Sequence, residues 1–449
     1  MSMSMDGMSM SMDVNGKDVP AGKIGSRGSG IRALSQGGYD SPGGGASPVS
    51  SERNMRRQAW SGRHHASSPR TVAGAVYVKL RAWRWEAAVY ACSRLLILWV
   101  ALAEAIVMHT SLSSELSNWD GVWYLAIVHH GYPAHVPAGQ STLGFLPVYP
   151  LLILIVSRLT FTSPLIAGLV VSGVAGFVTV VLVESLVNRW WGKDAGKWAV
   201  IVLCLFPGSI VFSMVYPEGL TAALGAGCLL ALAKRRWVVA GISAALAGAV
   251  EPVGLVAIPV CILVACMMYF GDGVNRKEAK RSMLAPAIAP LGIGGFALFL
   301  WAWTGTPFAT LDAQASGWHQ SGNPIALIVQ ILAGVASNPA RFLSHHAINL
   351  DFVNGLAGAV FLVMALVLLW RRLPALPIEV FAWVAGIGLL TLWSIRTPPN
   401  ARMLIVAFPA IVVWADHLEG KSLKLFTAVE VVLLAGMSAL TFHGRLLSP

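Results

Sequence analysis

The chain has 449 residues, 56% of them hydrophobic and 12% charged, with a mean hydropathy of +0.66. That balance excludes a string of ordinary soluble domains, because most of such a chain has to face lipid or other apolar helices. The formal charge of +11 is not a nucleic-acid footprint: 12 of the 32 Lys and Arg precede residue 85, and many others sit in short links between apolar runs, a pattern of membrane topology.

Residues 1–85 open with Met-Ser repeats and continue rich in Gly, Ser and Pro, too polar to bury a core, so a disordered basic cytoplasmic tail is expected. The tail shows no apolar h-region, and the first span, about Ala87–Met108, is expected to serve as its own signal anchor. From there residues 86–445 read as one all-α, polytopic membrane domain. Further spans are expected at about 164–188, 198–216, 217–233, 237–251, 253–270, 284–303, 352–370, 378–395, 402–416 and 425–442. The stretch Phe145–Leu159, short and with prolines at 147 and 150, is the ambiguous one. If it does not cross, Arg189/Lys193/Lys197, Lys234/Arg235/Arg236, Arg276/Lys277/Lys280/Arg281, Arg371/Arg372 and Lys421/Lys424 all fall on the inner side with the tail. That favours about 11 spans with an inner amino terminus. Lipids, and plausibly anionic ones for the tail, are then obligatory partners; nucleic acid is not.

Along the chain, the first outer loop carries Asn118-Trp119-Asp120-Gly121-Val122-Trp123-Tyr124, an acid framed by aromatics at the emergence of the first span. If this element is helical, Asp120 and Tyr124 lie one turn apart on one face, beside Trp119 and Trp123. Two readings stay open for Asp120: a helix cap or interfacial hydrogen-bonding group, or a carboxylate with a raised pKa acting as general base. The Tyr216-Pro217-Glu218 corner has a matching pair of readings, since an acid after Pro217 also suits a helix start, and Glu251-Pro252 repeats the geometry. The 304–351 loop offers Asp312, Gln314 and Trp318, with Gln314 and Trp318 as candidate substrate contacts beside Tyr124, Tyr216 and Glu218. Arg402, after Thr397-Pro398-Pro399-Asn400, opposes the dipole at a helix start; it reads as interfacial snorkelling or, with Arg396 assisting, as a phosphate site. The outer histidines 129, 130, 135, 319, 345 and 346 lack the spacing of a hydrolytic zinc site, and no metal is assigned. The five cysteines all lie in apolar runs and read as small core residues.

Asn118-Trp119-Asp120-Gly121-Val122-Trp123-Tyr124-Leu125-Ala126-Ile127, ending Gly131-Tyr132, resembles the first outer-loop motif of the phosphatidylinositol-glycan class V (PIG-V) mannosyltransferases, and more closely their bacterial relatives. Gly144-Phe145-Leu146-Pro147-Val148-Tyr149-Pro150-Leu151 is similar to the Phe-Pro-Leu-Tyr-Pro stretch that follows there. Phe206-Pro207 through Tyr216-Pro217-Glu218-Gly219-Leu220 resembles the Pro…Tyr-x-Glu-Ser-Leu segment, and Ala401-Arg402-Met403-Leu404 with Phe408-Pro409 the late Arg-Tyr-Leu…Pro segment. The resemblance covers about residues 87–445. Two departures stand in it: Glu251-Pro252-Val253-Gly254 where the family usually has Arg-Pro-Thr-Gly, and Gly219 in place of Ser.

The resemblance implies a GT-C glycosyltransferase with juxtamembrane helices in its first outer loop, an α-mannosyltransferase on the outer face of a bacterial plasma membrane. It implies a polyprenyl-phosphate-linked sugar donor that diffuses in the bilayer, so no cofactor is expected, and an acceptor hydroxyl on a glycan, lipid or protein. Asp120 becomes the base of an inverting single displacement, Arg402 the group that stabilises the charge developing on the lipid phosphate, and Trp119, Trp123 and Tyr149 the lining of the sugar and lipid approaches. The alternative is a non-catalytic membrane protein, a transporter or accessory subunit on the same scaffold. A transporter would hold acidic or broken-helix sites near the bilayer midplane, whereas these spans hold mainly Arg94 and Glu184 and the other notable charges gather at one surface.

Overall fold

Because apolar segments can satisfy their own backbone only as helices or closed barrels, a chain of this composition is expected to be helical throughout. The computed structural model describes residues 83–271, 273–318, 337, 350–373, 375–393, 399–444 and 446–449, all of them helix, turn or loop. They belong to one unit, Thr71–Pro449. Residues 1–82 of the expected tail lie outside the described residues, as do Arg396, His319, His345 and His346.

The first helix, α1 (Arg84–Val107), leads into two short ones, α2 (Leu112–Leu116) and α3 (Asp120–His130). A 3₁₀ turn at Thr142–Gly144 precedes α4 (Val148–Thr160), and α5 (Pro164–Trp190) and α6 (Lys193–Leu205) follow. A 3₁₀ segment at Pro207–Ser213 leads to α7 (Glu218–Ala233) and α8 (Trp237–Val250); another at Pro252–Val256 leads to α9 (Ala257–Phe270). Then come α10 (Arg276–Ser282), α11 (Leu284–Ile288), α12 (Leu291–Thr304) and α13 (Ala309–Trp318). The carboxy-terminal part holds α14 (Leu350–Arg372), α15 (Ile378–Trp393), α16 (Ala401–Val406), α17 (Pro409–His417) and α18 (Gly420–Phe442).

Among the described residues six segments are long and apolar enough to cross a membrane: Arg84–Val107, Pro164–Trp190, Pro252–Phe270, Arg276–Thr304, Leu350–Arg372 and Gly420–Phe442. Lys193–Leu205 with Pro207–Ser213 makes a seventh if the pair, bent by 74°, is one span. The chain is thus a multi-pass membrane protein. The expected segments at 217–233, 237–251 and 378–395 are helical but short, as is α4 at 148–160, the stretch left outside the crossings by the charge argument. At about 1.5 Å per residue, 13 residues reach roughly 20 Å, short of a hydrocarbon core of roughly 30 Å.

Two expected spans are broken, and each break has a chemical cause. Pro207 cannot donate to the preceding turn and holds Phe206 extended (ψ 135°), so the segment expected over 198–216 stops at Leu205 and resumes as 3₁₀. The break strands the carbonyls at the end of α6. Arg94, buried inside α1, answers one of them and ties down the segment that follows: its Nη2 donates to the Cys204 carbonyl (3.1 Å) and Ser209 Oγ (2.9 Å), and its Nη1 donates to the Ser209 carbonyl. The guanidinium lies over the Tyr90 and Phe212 rings, 5.0 and 5.5 Å from their centroids. At the second break, the segment expected at 402–416 is split at Ala407–Phe408, where Pro409 starts a new helix.

The core is built on α5, α7 and α8 in successive contact, with α6 against α5 and the 207–213 segment against α16 and α18. In lipid, close packing rather than water exclusion holds helices together, and small residues permit it. The segment Pro399–Ala401 shows how tight this is: a Cβ on Gly208 would come within 1.9 Å of the Ala401 carbonyl oxygen, and one on Gly358 of α14 within 1.7 Å of the Pro399 oxygen. Trp383, fully buried, donates its Nε1 to the Val406 carbonyl at 3.0 Å and pins the other end of α16. Gly208→Ala is therefore expected to push α16 out of place, costing about 1–3 kcal/mol or more by overpacking. Thermal unfolding in detergent should show a clearly lowered midpoint.

Candidate active site

The candidate site starts from a helix register. α3 is helical over Asp120–His130, so Asp120 sits in its first turn with Tyr124 one turn on, as the sequence spacing anticipates. Trp119 precedes it in a left-handed conformation (φ 60°), a strained position for a bulky residue that turns the chain into the helix. The Asp120 backbone N–H donates to Tyr216 Oη at 3.2 Å. Asp120 therefore meets the Tyr216-Pro217-Glu218 corner, 96 residues further along.

Arg402 closes the site. Its Nη1 donates to Asp120 Oδ2, its Nε lies 3.3 Å from Glu218 Oε1, and its guanidinium sits 5.4 Å from the centre of the Tyr216 ring. The side chains of Arg402 and Glu218 are 8% and 1% exposed, that of Asp120 33%. The cluster is thus sealed at Glu218 and open at Asp120, which is the end a substrate can reach. Burial raises the Tyr216 hydroxyl well above its ordinary range, so it stays neutral and works as a hydrogen-bonding and ring partner. Glu251, at the corner between α8 and the 252–256 turn, is 6% exposed; burial pushes its carboxyl up to about 7, against the pull of the Thr221 hydroxyl and the Arg402 guanidinium.

Arg402 reaches the cluster on α16, a helix of six residues whose N-cap Asn400 already accepts the Met403 N–H through Oδ1 at 3.0 Å. The helix start expected to offer its amides together with the guanidinium therefore spends one of them internally. The guanidinium is the stronger phosphate ligand here, having more N–H donors than its two carboxylate partners occupy.

Aromatic candidates form a second group next to the first. Trp123 stacks on Phe145 (centroids 6.0 Å) and Trp318 stands edge-on to both at 5.5 Å. Gln314 Nε2 donates to the Gly144 carbonyl at 2.7 Å, so α13 docks on the Thr142–Gly144 turn and Gln314 acts in this structure as a tether. Tyr124 stands edge-on to Tyr149 at 4.9 Å, and both are buried. Of the sequence candidates, Asp120, Tyr216, Glu218 and Arg402 are in direct contact and Tyr124 and Glu251 adjoin them. Trp119 precedes Asp120 and Tyr149 meets Tyr124, whereas Trp123, Gln314 and Trp318 gather around Phe145 and Gly144; Arg396 lies outside the described residues.

Sequence reasoning missed Ser172. Its hydroxyl donates to the Tyr216 carbonyl (2.9 Å), accepts the Tyr216 N–H (3.2 Å) and lies 2.7 Å from Tyr149 Oη. One serine thereby fixes the corner that carries Tyr216 and Glu218. A lone serine in an apolar span gives no signal for this. Among the described residues no group of three or more His, Cys, Asp or Glu is placed to hold a metal ion. An apolar cavity of about 450 Å³ lies between Ile127 and Val128 of α3, Leu151 and Leu154 of α4, Ala249 of α8 and Phe299 of α12, and none of the cluster's residues line it.

Fold and cluster define a multi-pass membrane protein with an acid–guanidinium site at the ends of its helices. The family model of the mannosyltransferases (PIG-V) matches residues 98–302, a stretch that contains Asp120, Tyr149, Tyr216, Glu218 and Glu251. The match bears out the resemblance for three of its four motifs and supports a membrane glycosyltransferase; the Arg402 segment lies outside the matched residues. No curated protein matches. Solved structures similar to the chain include the Archaeoglobus fulgidus oligosaccharyltransferase in its apo form (14% identity, TM-score 0.43, 79% of this chain and 56% of that one). The same protein tethered to an acceptor peptide gives 14% identity and a TM-score of 0.45 over 80% and 56% of the two chains. The chain thus spans just over half the length of these structures.

The ionic cluster makes its own prediction. Arg402→Gln leaves Glu218 buried without its cation, at a cost of about 3–5 kcal/mol. The double variant Arg402→Gln/Glu218→Gln should recover a large part of it. Thermal unfolding of the parent and the two variants checks this; an Arg402→Gln protein as stable as the parent would remove the cluster's structural role.

Proposed function

We propose that the chain is a mannosyltransferase of the GT-C kind that moves mannose from a polyprenyl-phosphate donor to an acceptor hydroxyl. The observation that carries the reading is the Asp120–Arg402 contact at the open end of the cluster, which joins a base and an anion ligand in one place. Asp120 takes the proton of the acceptor hydroxyl, and the freed oxygen attacks the anomeric carbon from the face opposite the phosphate. The carbon–oxygen bond to phosphate breaks, and polyprenyl phosphate leaves with its charge held by the remaining N–H groups of Arg402. Configuration inverts in the single displacement. Glu218 keeps the guanidinium fixed from behind, and Tyr216 positions both partners.

The aromatic group of Trp123, Phe145 and Trp318 offers ring faces for a sugar, and the apolar cavity further along α3, α4 and α8 suits isoprene units of the donor. The positive-inside pattern supports a cytoplasmic amino terminus and a site on the outer face, and the resemblance to the bacterial relatives supports a plasma-membrane location.

Membranes holding the parent chain should transfer radiolabelled mannose from polyprenyl-phosphate mannose, and Asp120→Asn should lower the rate at least about 100-fold, the smaller end of what a general base contributes. Equal transfer by both would discard Asp120 as base; a folded parent chain without any transfer would discard the transferase. Orientation is read separately by cysteines placed at Gln140 and Asn275, of which an external thiol reagent should label only the first.

A further inference from the structure

The transfer chemistry leaves two carboxylate oxygens without a task. Glu218 opens α7 and Glu251 ends α8, both more than nine-tenths buried. Among the described residues, Oε2 of Glu218 and Oε1 of Glu251 have no hydrogen-bond partner. Thr221, one turn along α7 from Glu218, faces Glu251, and the charges of Glu251 and Glu218 both act on Tyr124. Buried acceptors without donors are costly, and a ligand that brings O–H groups removes the cost. The charge count adds a direction: among the described residues, Asp120, Glu218 and Glu251 surround one cation, Arg402, two of whose nitrogens already face carboxylates. A neutral hydroxyl entering past Asp120 finds acceptors there, whereas a second anion finds carboxylates.

We propose that Glu251, backed by Glu218, is a specificity-determining residue that accepts hydrogen bonds from neutral sugar hydroxyls of the acceptor and excludes acceptors carrying phosphate or carboxylate beside the reacting hydroxyl. The inference rests on the transferase reading of the same site. The groups facing Glu251 are Thr221 and Glu218 of α7, Asp120 and Tyr124 of α3 and Arg402 of α16. Its carboxyl, raised to about 7 by burial, is largely protonated at pH 6 and ionised at pH 8. Rejection of anions therefore strengthens as pH rises across neutrality.

The full chain in lipid nanodiscs, titrated calorimetrically with methyl α-mannoside and with mannose 6-phosphate, tests this. At pH 8 the neutral sugar should bind at least about tenfold more tightly, the scale of one unfavourable charge contact, and the gap should narrow at pH 6. Glu251→Gln, which keeps the shape, should lose most of the preference and its pH response, while Glu251→Asp, which keeps the charge, should retain both. Equal binding by the parent chain, tighter binding of the phosphate, no binding of the neutral sugar, or a Glu251→Gln protein with the parent's preference would each overturn the inference. If the preference holds but no mannose is transferred from the polyprenyl-phosphate donor, the transferase reading fails and the sugar subsite stands.

Discussion

One guanidinium organises the working end of this protein. Arg402 is buried, and a buried cation persists only where anions and hydrogen bonds compensate its lost hydration. Asp120 and Glu218 supply the compensation and Tyr216 supplies a ring face, so three distant parts of the chain meet here: α3, the 216–218 corner and α16. The same contacts hold Asp120 at the open end and Glu218 at the sealed end. Charge balance and chemical role therefore follow from a single arrangement.

Around that cluster the structure is shaped by close approach. Gly208 and Gly358 let two segments close on Pro399–Ala401, and Asn400 and Trp383 fix the two ends of α16. Arg94 plays a parallel part deeper in the bundle, answering one of the carbonyls that the Pro207 break leaves open and tying down the segment that follows. Both arginines stand next to broken helices. In an apolar medium a broken helix exposes backbone groups that only a polar side chain or another turn can satisfy, so breaks and buried polar residues occur together.

Much of this was legible locally. The helical register of Asp120 and Tyr124, the Pro217-Glu218 corner and the polar station before Arg402 follow from spacing and turn chemistry within a few residues. The long apolar helices followed from hydropathy, and the charge pattern set α4 apart from them. What spacing could not supply was partnership. Ser172 reads as a small residue in a span, yet it grips Tyr216 44 residues away. The span expected over 402–416 looked continuous in hydropathy; that Pro409 ends one helix and begins another is a steric effect hydropathy does not register. Glu251 reads as a helix-start acid, and its meaning changes once Glu218 and Arg402 surround it.

The contact between Asp120 and Arg402 bridges 282 positions of sequence. A ribosome feeding this chain into a membrane releases the acid early and the guanidinium near the end. Until α16 is in place, Glu218 lacks the Arg402 cation, although Ser172 already holds the corner that carries it. No truncated product ending before residue 402 can assemble the pair. On the proposed reading of the site, transfer activity and a good part of stability at this end arrive together in the last stage of biogenesis.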